Sequence, residues 1–269
     1  MQSKISKFIP RAIFLIFILG LVFHASQIST EHELLEQIKA AEDAKRIYLT
    51  GLFDPALTEG FVLVAPENAF GVNNMYLRKE TYDAFILMRQ AAKIDGVDLK
   101  VASATRNFNY QKIIWNEKWA ELDTKDEILN VEDARSDRFR RFQKILEFSS
   151  APGTSRHHWG TDIDINKINP SYAGNFRDAN EREEIYVWLV KNASQFGFCQ
   201  TYTPKDVNRK TGYNEERWHW SYTPLSKIFT KDYKNLIKNE DIRGFLGDEF
   251  VSEYDLVNNY VMAINPACL

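Results

Sequence analysis

A chain of 269 residues is long enough to bury a sizeable hydrophobic core in one or two domains. Hydrophobic residues make up 44% and charged residues 26%, an ordinary globular composition that excludes a wholly disordered protein. The formal net charge of −3 argues against the global positive field of a nucleic-acid-binding protein, and two cysteines are too few for a disulfide scaffold or a cysteine-rich zinc module.

The first residues of the chain indicate export. Basic residues precede an uncharged, mainly apolar run, Ala12–Phe23. This run fits the about 7–15 apolar residues of a secretory signal better than the roughly 20 of a membrane span. The A-x-A cleavage preference is not met, so residues 1–26 are interpreted as a signal peptide or an uncleaved N-terminal membrane anchor, with a buried core helix as a third alternative. In the first two cases the rest of the protein lies in the periplasm or at the outer face of the cytoplasmic membrane, and it meets the membrane only through such an anchor.

Hydrophobic periodicity predicts helices and strands over the rest of the chain. In chain order the predicted elements are a helix in residues 32–47, a strand at Phe61–Val64, a helix at Leu77–Ile94, a strand at Val97–Ser103, a charged helical region at Tyr110–Leu146, a strand at Asp162–Asn166, a helix at Glu181–Phe196 and a strand at Trp218–Tyr222. No Gly/Ser-rich linker divides residues 30–269. The pattern therefore predicts one α+β domain, residues 61–269, preceded by a helical extension at residues 27–60.

Three of the five histidines lie with carboxylates in two short segments. Catalytic zinc takes three protein ligands, often His and a carboxylate, and leaves one position for water. His157 precedes a glycine turn, Asp164 lies in the strand that follows, and His219 on a neighbouring strand would complete a set of three. Glu216 lies three residues before His219, in a position to act as general base. Each residue alone has a simpler structural explanation, but their combination predicts a metal site; the sequence contains no HExxH helix, which excludes a helical zincin.

The two segments also resemble a known family. SRHHWGTDID at residues 155–164 and ERWH at residues 216–219 are similar to the SxHxxGxAxD and ExWH motifs of the VanY-type zinc D-alanyl-D-alanine carboxypeptidases. The positions that match the family's zinc ligands are His157, Asp164 and His219. The resemblance implies one Zn²⁺ per chain, with Glu216 as the catalytic base.

The resemblance extends upstream, from roughly Leu77 to Tyr222. SATRNFNYQ at residues 103–111 is similar to the family's S-G-Y-R-S-x-x-x-Q segment. This similarity implies that Arg106 binds substrate and stabilises the oxyanion, and that Gln111 and Ser155 contact substrate. The tryptophans beside the two metal segments, Trp159, Trp218 and Trp220, would wall the groove or belong to the core.

Three positions depart from the family pattern or complicate it. Asp162 replaces a small alanine, where a further carboxylate would add negative charge near zinc, bind a substrate amine, or serve only a turn. Thr105 replaces a tyrosine and changes the pocket shape. His158 adjoins His157; the motif spacing makes His157 the ligand and His158 a supporting or surface residue, and a shift of one residue would reverse these roles.

The resemblance implies a fold and a function. The expected fold is α+β, with an antiparallel sheet that carries the zinc site, helices that flank it, and the N-terminal helical extension; residues 61–269 would then be the catalytic domain. The expected activity is removal of a C-terminal D-alanine from peptidoglycan stem peptides by metal-activated water. Two alternatives stay open: a cell-wall L,D-carboxypeptidase or endopeptidase, since the motif does not determine the chirality around the bond, and a non-catalytic zinc-containing binding domain on the same fold.

The two cysteines have two interpretations. In an exported chain, Cys199 and Cys268 would form a disulfide that ties down the C-terminus. The alternative is a pair of unpaired, buried thiols. Neither cysteine lies near a histidine-rich segment, so neither is expected to bind the metal.

Overall fold

The structure is a computed structural model that describes residues 31–71, 74–123, 134–166 and 179–269. The predicted signal peptide or anchor at residues 1–26 lies outside these residues. In the described part of the chain, no helix has both the length and the apolar character that a membrane span requires. The chain divides into two compact units, Met1–Lys45 and Arg46–Leu269.

Helix α1 covers residues 31–49, in agreement with the predicted N-terminal helix. In the first unit its apolar residues Leu34, Leu35 and Ile38 are exposed. Residues 46–60 belong to the second unit, although the sequence pattern predicts that the whole of residues 27–60 forms the extension. The second unit therefore begins with a short segment that has no strong periodicity of its own.

The second unit mixes short strands with longer helices. The strands are β1 (Phe61–Leu63), β2 (Tyr76–Arg78), β3 (Val101–Ser103), β4 (Asp162–Ile165), β5 (Phe198–Gln200) and β6 (His219–Tyr222). The helices are α2 (Lys79–Ile94), α3 (Phe108–Asp123), α4 (Ala134–Ile145), α5 (Ala179–Asn192), α6 (Thr223–Leu236) and the short α7 (Val251–Tyr254). Each predicted element after residue 60 has a counterpart here, and β2, β5, α6 and α7 were not predicted.

Two predicted boundaries differ from the structure for identifiable reasons. Helix α2 begins at Lys79 rather than Leu77, because Tyr76–Arg78 pairs with β1. Strand β3 begins at Val101 rather than Val97. Before Val101, side chains and not a neighbouring strand form the hydrogen bonds to the backbone carbonyls. The Asp98 carbonyl accepts from the Asn166 amide, and the Leu99 carbonyl accepts from the Arg89 guanidinium.

The central sheet is antiparallel and has the strand order β3-β4-β6-β5. Strands β1 and β2 form a second, two-stranded antiparallel sheet. Along β4 the side chains alternate: Ile163 and Ile165 are fully buried in a core cluster with Leu77, Phe85 and Leu189. Because successive side chains in a strand point to opposite faces, Asp162 and Asp164 lie together on the other face. The predicted α+β fold with an antiparallel sheet and flanking helices is thus confirmed.

A disulfide joins Cys199 on β5 to Cys268 near the end of the chain, with their Cα atoms 5.6 Å apart. This confirms the predicted pairing and excludes the free thiols. The bond closes a loop with a sequence separation of 69. A cross-link of this kind typically stabilises a fold by about 2–4 kcal/mol, mainly by restricting the unfolded chain. The disulfide joins the C-terminal segment to β5, which pairs with β6. Strand β6 carries part of the candidate site.

Candidate metal centre and substrate groove

Three side chains from the two central strands and one turn converge on a point on one face of the sheet. His157 lies in a 3₁₀ turn, Arg156–Trp159, which ends at Gly160 in the left-handed conformation with φ 71°. Asp164 on β4 pairs directly opposite His219 on β6. One donor atom from each of His157, Asp164 and His219 lies within 4.8 Å of the other two. The structure therefore brings the three predicted ligands together.

The distances within this cluster and the neutral state of His157 fit a metal ion. Asp164 Oδ1 lies 3.2 Å from His157 Nε2 and 3.3 Å from His219 Nδ1. His157 Nε2 and Asp164 Oδ1 are buried and have no hydrogen-bond partner among the described residues. His157 Nδ1 donates to the Ala104 carbonyl at 2.9 Å, which leaves the lone pair of Nε2 free. Burial lowers the pKa of His157 to about 4, so the ring is neutral at physiological pH, as a metal ligand must be.

Asp162 contacts His219 from the side away from the cluster. His219 Nε2 donates to Asp162 Oδ1 at 3.0 Å, so Nδ1 faces Asp164. Burial alone would lower the pKa of His219, but its hydrogen bonds to the two aspartates outweigh burial and raise that pKa to about 9. A carboxylate on the far nitrogen of a histidine selects the tautomer and the ring orientation. Asp162 thus holds His219 in the orientation that points Nδ1 into the cluster.

The charge of Asp162 is compensated within the protein. Its carboxylate is fully buried and pairs with the Arg156 Nε at 3.1 Å. It also accepts hydrogen bonds from the hydroxyls of Thr161, at 2.7 Å, and Ser221, at 3.1 Å. Because it faces these partners and does not line the groove, Asp162 is not placed to bind a substrate amine. Three roles were considered for Asp162: a further carboxylate near zinc, a contact for a substrate amine, or a turn residue. The structure supports the first, and this carboxylate acts through His219.

Glu216 is the buried carboxylate beside the cluster. Its Oε2 lies 3.6 Å from His219 Nδ1, and the residue is 6% exposed. Burial raises the pKa of Glu216 to about 8, above the usual range of a carboxylic acid. Its neighbour Glu215 points elsewhere, towards Arg217 at 3.4 Å and the Tyr186 hydroxyl at 3.3 Å. Of these two glutamates, Glu216 alone is therefore placed beside the candidate ligands.

His158 supports the loop that carries Arg106. Its Nδ1 donates to the Arg106 carbonyl at 2.6 Å, and its Nε2 accepts from the Gly153 amide at 3.0 Å. Burial lowers the pKa of His158 to about 3, so the ring is neutral. With both nitrogens engaged, His158 does not join the cluster. The structure thus places His157, and not His158, among the candidate ligands.

A groove with a cavity volume of about 780 Å³ opens over the cluster. Its lining includes Trp218 and six of the seven predicted site residues: Arg106, Gln111, His157, Asp164, Glu216 and His219. Buried Arg106 Nε and Gln111 Oε1 have no hydrogen-bond partner among the described residues, although the Gln111 amide donates to the Ser150 carbonyl at 2.7 Å. Unpaired buried polar atoms are costly, and they mark where a ligand would complete the hydrogen bonding.

Two of the sequence interpretations do not reach the groove. Ser155, a predicted substrate contact, is buried and does not line the groove, and its hydroxyl has no partner among the described residues. Trp159 and Trp220 are buried in two separate core clusters, so Trp218 is the tryptophan that forms part of the wall. Trp220 follows His219 along β6 and so points to the opposite face of the sheet, whereas Trp218 lies just before the strand begins and borders the groove.

Several groove residues were missed at the sequence level, among them Lys118, Ser149 and Tyr202. Lys118 follows Gln111 by seven residues, which is two helical turns, so both project from the same face of α3. That spacing was readable in the sequence once Gln111 had been singled out. Ser149 and Tyr202 lie outside regular elements, and no local pattern distinguishes them.

Comparison with known proteins gives the same family as the motifs. Residues 74–225 match the family model VanY, D-alanyl-D-alanine carboxypeptidase. This span is more than half of the chain and agrees with the predicted extent of the resemblance, which is thereby confirmed.

Individual relatives cover the chain in part. A D-alanyl-D-alanine carboxypeptidase of Enterococcus faecalis is 34% identical over 143 residues, which cover 53% of this chain and 46% of that protein. YodJ of Bacillus subtilis is 29% identical over 182 residues, covering 66% and 57%. The chain thus spans about half the length of these two curated relatives. A crystal structure of a vancomycin-resistance D,D-pentapeptidase VanY variant in complex with Zn(II) is 27% identical and covers 70% of this chain and 93% of that one, with a TM-score of 0.44.

Proposed function

The chain belongs to the VanY family of D-alanyl-D-alanine carboxypeptidases, and from this premise we propose that it is a zinc-dependent carboxypeptidase that removes the C-terminal D-alanine of peptidoglycan stem peptides. The observation that carries the proposal is the buried cluster of His157, Asp164 and His219 with Glu216 beside it, at the base of a groove. Two nitrogen donors and one carboxylate oxygen form a donor set that suits catalytic zinc. His157 Nε2, Asp164 Oδ1 and His219 Nδ1 are the atoms that would hold the ion.

Bound zinc would polarise the scissile carbonyl and lower the pKa of the attacking water to about 7. The protein supplies the proton transfer and the charge stabilisation. Glu216 accepts a proton from that water on its carboxylate and later passes it to the leaving amine. Burial, which raises the pKa of Glu216, makes this carboxylate a stronger base than an exposed one.

Arg106 stabilises negative charge in the groove. Its loop is held by two contacts: its carbonyl accepts from His158, and its amide donates to the His157 carbonyl at 3.3 Å. A guanidinium held in this way stabilises an oxyanion or a terminal carboxylate without further reorganisation. The presence of both Glu216 and Arg106 favours catalysis over a non-catalytic binding domain.

The function is tested by product analysis on defined muropeptides. We expect a pentapeptide that ends in D-Ala-D-Ala to yield the tetrapeptide and free D-alanine, with activity lost after chelation and restored by zinc. Cleavage of only the tetrapeptide would indicate an L,D-carboxypeptidase, and cleavage of a cross-linked dimer would indicate an endopeptidase. Absence of all three products from the zinc-loaded protein would leave the binding-domain alternative.

We expect Asp162→Asn to weaken zinc binding by about 10- to 100-fold, the range typical for residues that orient a metal-binding histidine. The amide lacks the charge that pairs with Arg156 and holds His219 through Nε2. Competition with a chromophoric chelator measures the affinity. Ser221→Ala is the matched control, since it removes one neutral hydrogen bond from the same carboxylate, and its effect should be smaller. An affinity of Asp162→Asn within twofold of the wild type would contradict this role.

We further propose that the catalytic domain works outside the cytoplasmic membrane, with residues 1–26 as the export signal or anchor. Peptidoglycan stem peptides lie there, and the basic flank and apolar run at the N-terminus support export. A reporter that is active only outside the cytoplasm, fused after Thr30, should be active. N-terminal sequencing of the mature protein separates cleavage from anchoring. A reporter active only in the cytoplasm would contradict the proposal.

A further inference from the structure

A short segment that precedes the family match contacts two parts of the candidate site. Residues 48–51, which we call the strap, form the end of α1 and the turn after it, whereas the family match begins at residue 74. One set of contacts goes to the 3₁₀ turn that carries His157, and the other goes to the loop that carries Arg106. The strap thus connects the metal-ligand turn to the loop of the groove arginine.

The first contacts hold the turn that carries His157. The Tyr48 hydroxyl donates to the Trp159 carbonyl at 2.5 Å and accepts from the Arg78 guanidinium at 2.9 Å. In the other direction, the Trp159 indole N–H donates to the Leu49 carbonyl at 3.1 Å. Because Trp159 and Leu49 are buried, water does not compete for the second of these bonds. The strap therefore holds the end of the metal-ligand turn at two points.

The second contacts hold the loop that carries Arg106. The Phe108 amide, at the start of α3, donates to the Gly51 carbonyl at 2.7 Å. Gly51 also lies against the ring of His158, whose Nδ1 donates to the Arg106 carbonyl at 2.6 Å. The strap thus reaches this loop directly through the backbone and indirectly through His158.

Gly51 has no room for a side chain. A Cβ built there would lie 2.4 Å from Nδ1 and 2.6 Å from Cγ of the His158 ring, closer than Cβ contacts in real proteins. The ring does not move without breaking contacts, because the residue is fully buried and both of its nitrogens are hydrogen-bonded. A single methyl group at Gly51 would therefore displace His158 and, with it, the Arg106 loop.

The geometry of a helix end also favours glycine at this position. Gly51 has φ 76°; its amide donates to the Tyr48 carbonyl, and the next amide donates to the Ile47 carbonyl. Gly96 ends α2 with φ 81° and the same pair of backbone bonds. Among the described residues, however, no atom beyond its chain neighbours lies within 4 Å of a Cβ built at Gly96. The two glycines therefore separate the effect of a left-handed helix end from that of the contact with His158.

We infer that the strap is part of the active site, and that Gly51 is a positioning residue that acts through His158 on Arg106. The inference rests on the proposed function, in which Arg106 stabilises negative charge, and adds a segment outside the family match. Stabilisation of this kind depends on a donor that is held in place before the reaction, so displacement of the loop lowers activity. Neither Gly51 nor His158 lines the groove, so their effect on the reaction passes through Arg106.

Gly51→Ala in the full, zinc-loaded chain should lower kcat/KM on the D-Ala-D-Ala pentapeptide by about 100-fold, the effect typical of a misplacement of about 1 Å. Zinc should stay at one per chain, because the bonds between the strap and Trp159 do not involve Gly51. Gly96→Ala is the matched control and should retain wild-type activity. An equal loss of activity in both variants would assign the effect to the helix end and overturn the inference.

His158→Ala gives a second arm that does not require a crowded variant to fold. It removes both the ring that a Cβ would meet and the bond to Arg106, so it should lower kcat/KM as Gly51→Ala does. Adding Gly51→Ala to His158→Ala should then cause no further loss, since residues that act through one contact are not additive. A full further loss in the double variant would show that Gly51 does not act through His158. Melting temperatures identify the variants that are folded.

A spectroscopic readout separates this inference from the proposed function. The Nδ1 proton of His158 is buried and hydrogen-bonded, so it should give an NMR signal in water that is absent from His158→Ala. We expect the signal to shift in Gly51→Ala and to stay in place in Gly96→Ala. If the wild type cleaved no peptide, that result would still support the contact of the strap with the Arg106 loop, while the proposed function would fall. An unshifted signal together with wild-type kcat/KM in Gly51→Ala would overturn the role of the strap and leave the carboxypeptidase standing.

Discussion

Glu216→Gln is expected to keep zinc and to lower kcat by at least about 10²–10⁴-fold, the usual contribution of general-base catalysis. Glutamine has nearly the same shape as glutamate but does not accept a proton at neutral pH. The three candidate ligands are other residues, and the Glu216 backbone contacts do not involve the side chain: its amide donates to the Tyr202 carbonyl at 2.9 Å. Steady-state kinetics on the pentapeptide and elemental analysis of the same preparation measure both effects.

Substrate affinity should change little in Glu216→Gln, since Arg106 and the groove walls remain. Glu215→Gln is the control, because Glu215 is adjacent in sequence but contacts Arg217 and Tyr186 instead of the cluster. We expect it to be nearly neutral. Loss of activity in Glu215→Gln with full activity in Glu216→Gln would mean that the motif had been aligned one residue out. Full activity in both variants would favour the binding-domain alternative.

Replacing a candidate ligand by alanine should abolish both metal binding and activity. His219→Ala leaves two donors where zinc needs three from the protein, and it also removes the hydrogen-bond partner of buried Asp162. His157→Ala and Asp164→Ala each remove one donor in the same way. We expect the zinc content to fall from one per chain to near zero after dialysis against a mild chelator, and turnover to fall below detection.

The control for these variants is His32→Ala, since His32 is exposed on α1, far from the metal motifs in sequence. It should retain one zinc per chain and wild-type activity. Circular dichroism and thermal melting show whether each ligand variant is folded, which separates loss of metal from loss of structure. Retention of stoichiometric zinc in all three ligand variants would refute the assigned metal site.

Most of the functional prediction came from short sequence motifs. The spacing from His157 to Asp164 crosses one turn into one strand, and Asp162–Ile165 alternates as a half-buried strand does. A short segment of this kind positions its side chains through its own backbone geometry. The pairing of Asp164 with His219 needs two distant segments, yet each had its own motif, so the combination was already predictable.

The sequence did not place residues whose surroundings depend on distant parts of the chain. Ser155 matches the family motif, but it is buried away from the groove. For Trp159 the sequence left a groove wall and a core position open; its side chain packs near Tyr233 and Phe229, which come from the unpredicted helix α6. The C-terminal region lacks a chemical motif, so the sequence did not reveal that it completes the core.

By itself the sequence determined the family, the mixed α+β class, the three candidate metal ligands and the carboxylate beside them, because these features rest on residue types at short, characteristic spacings. The tertiary structure alone decided which supporting groups reach the site. Asp162 meets His219 across 57 positions, and Lys118 meets Ser149 across 31. Contacts between residues so far apart depend on strand register and helix packing, which a local pattern does not encode. For this reason the contact of Asp162 with His219 and that of Lys118 with Ser149 became visible only in the folded chain.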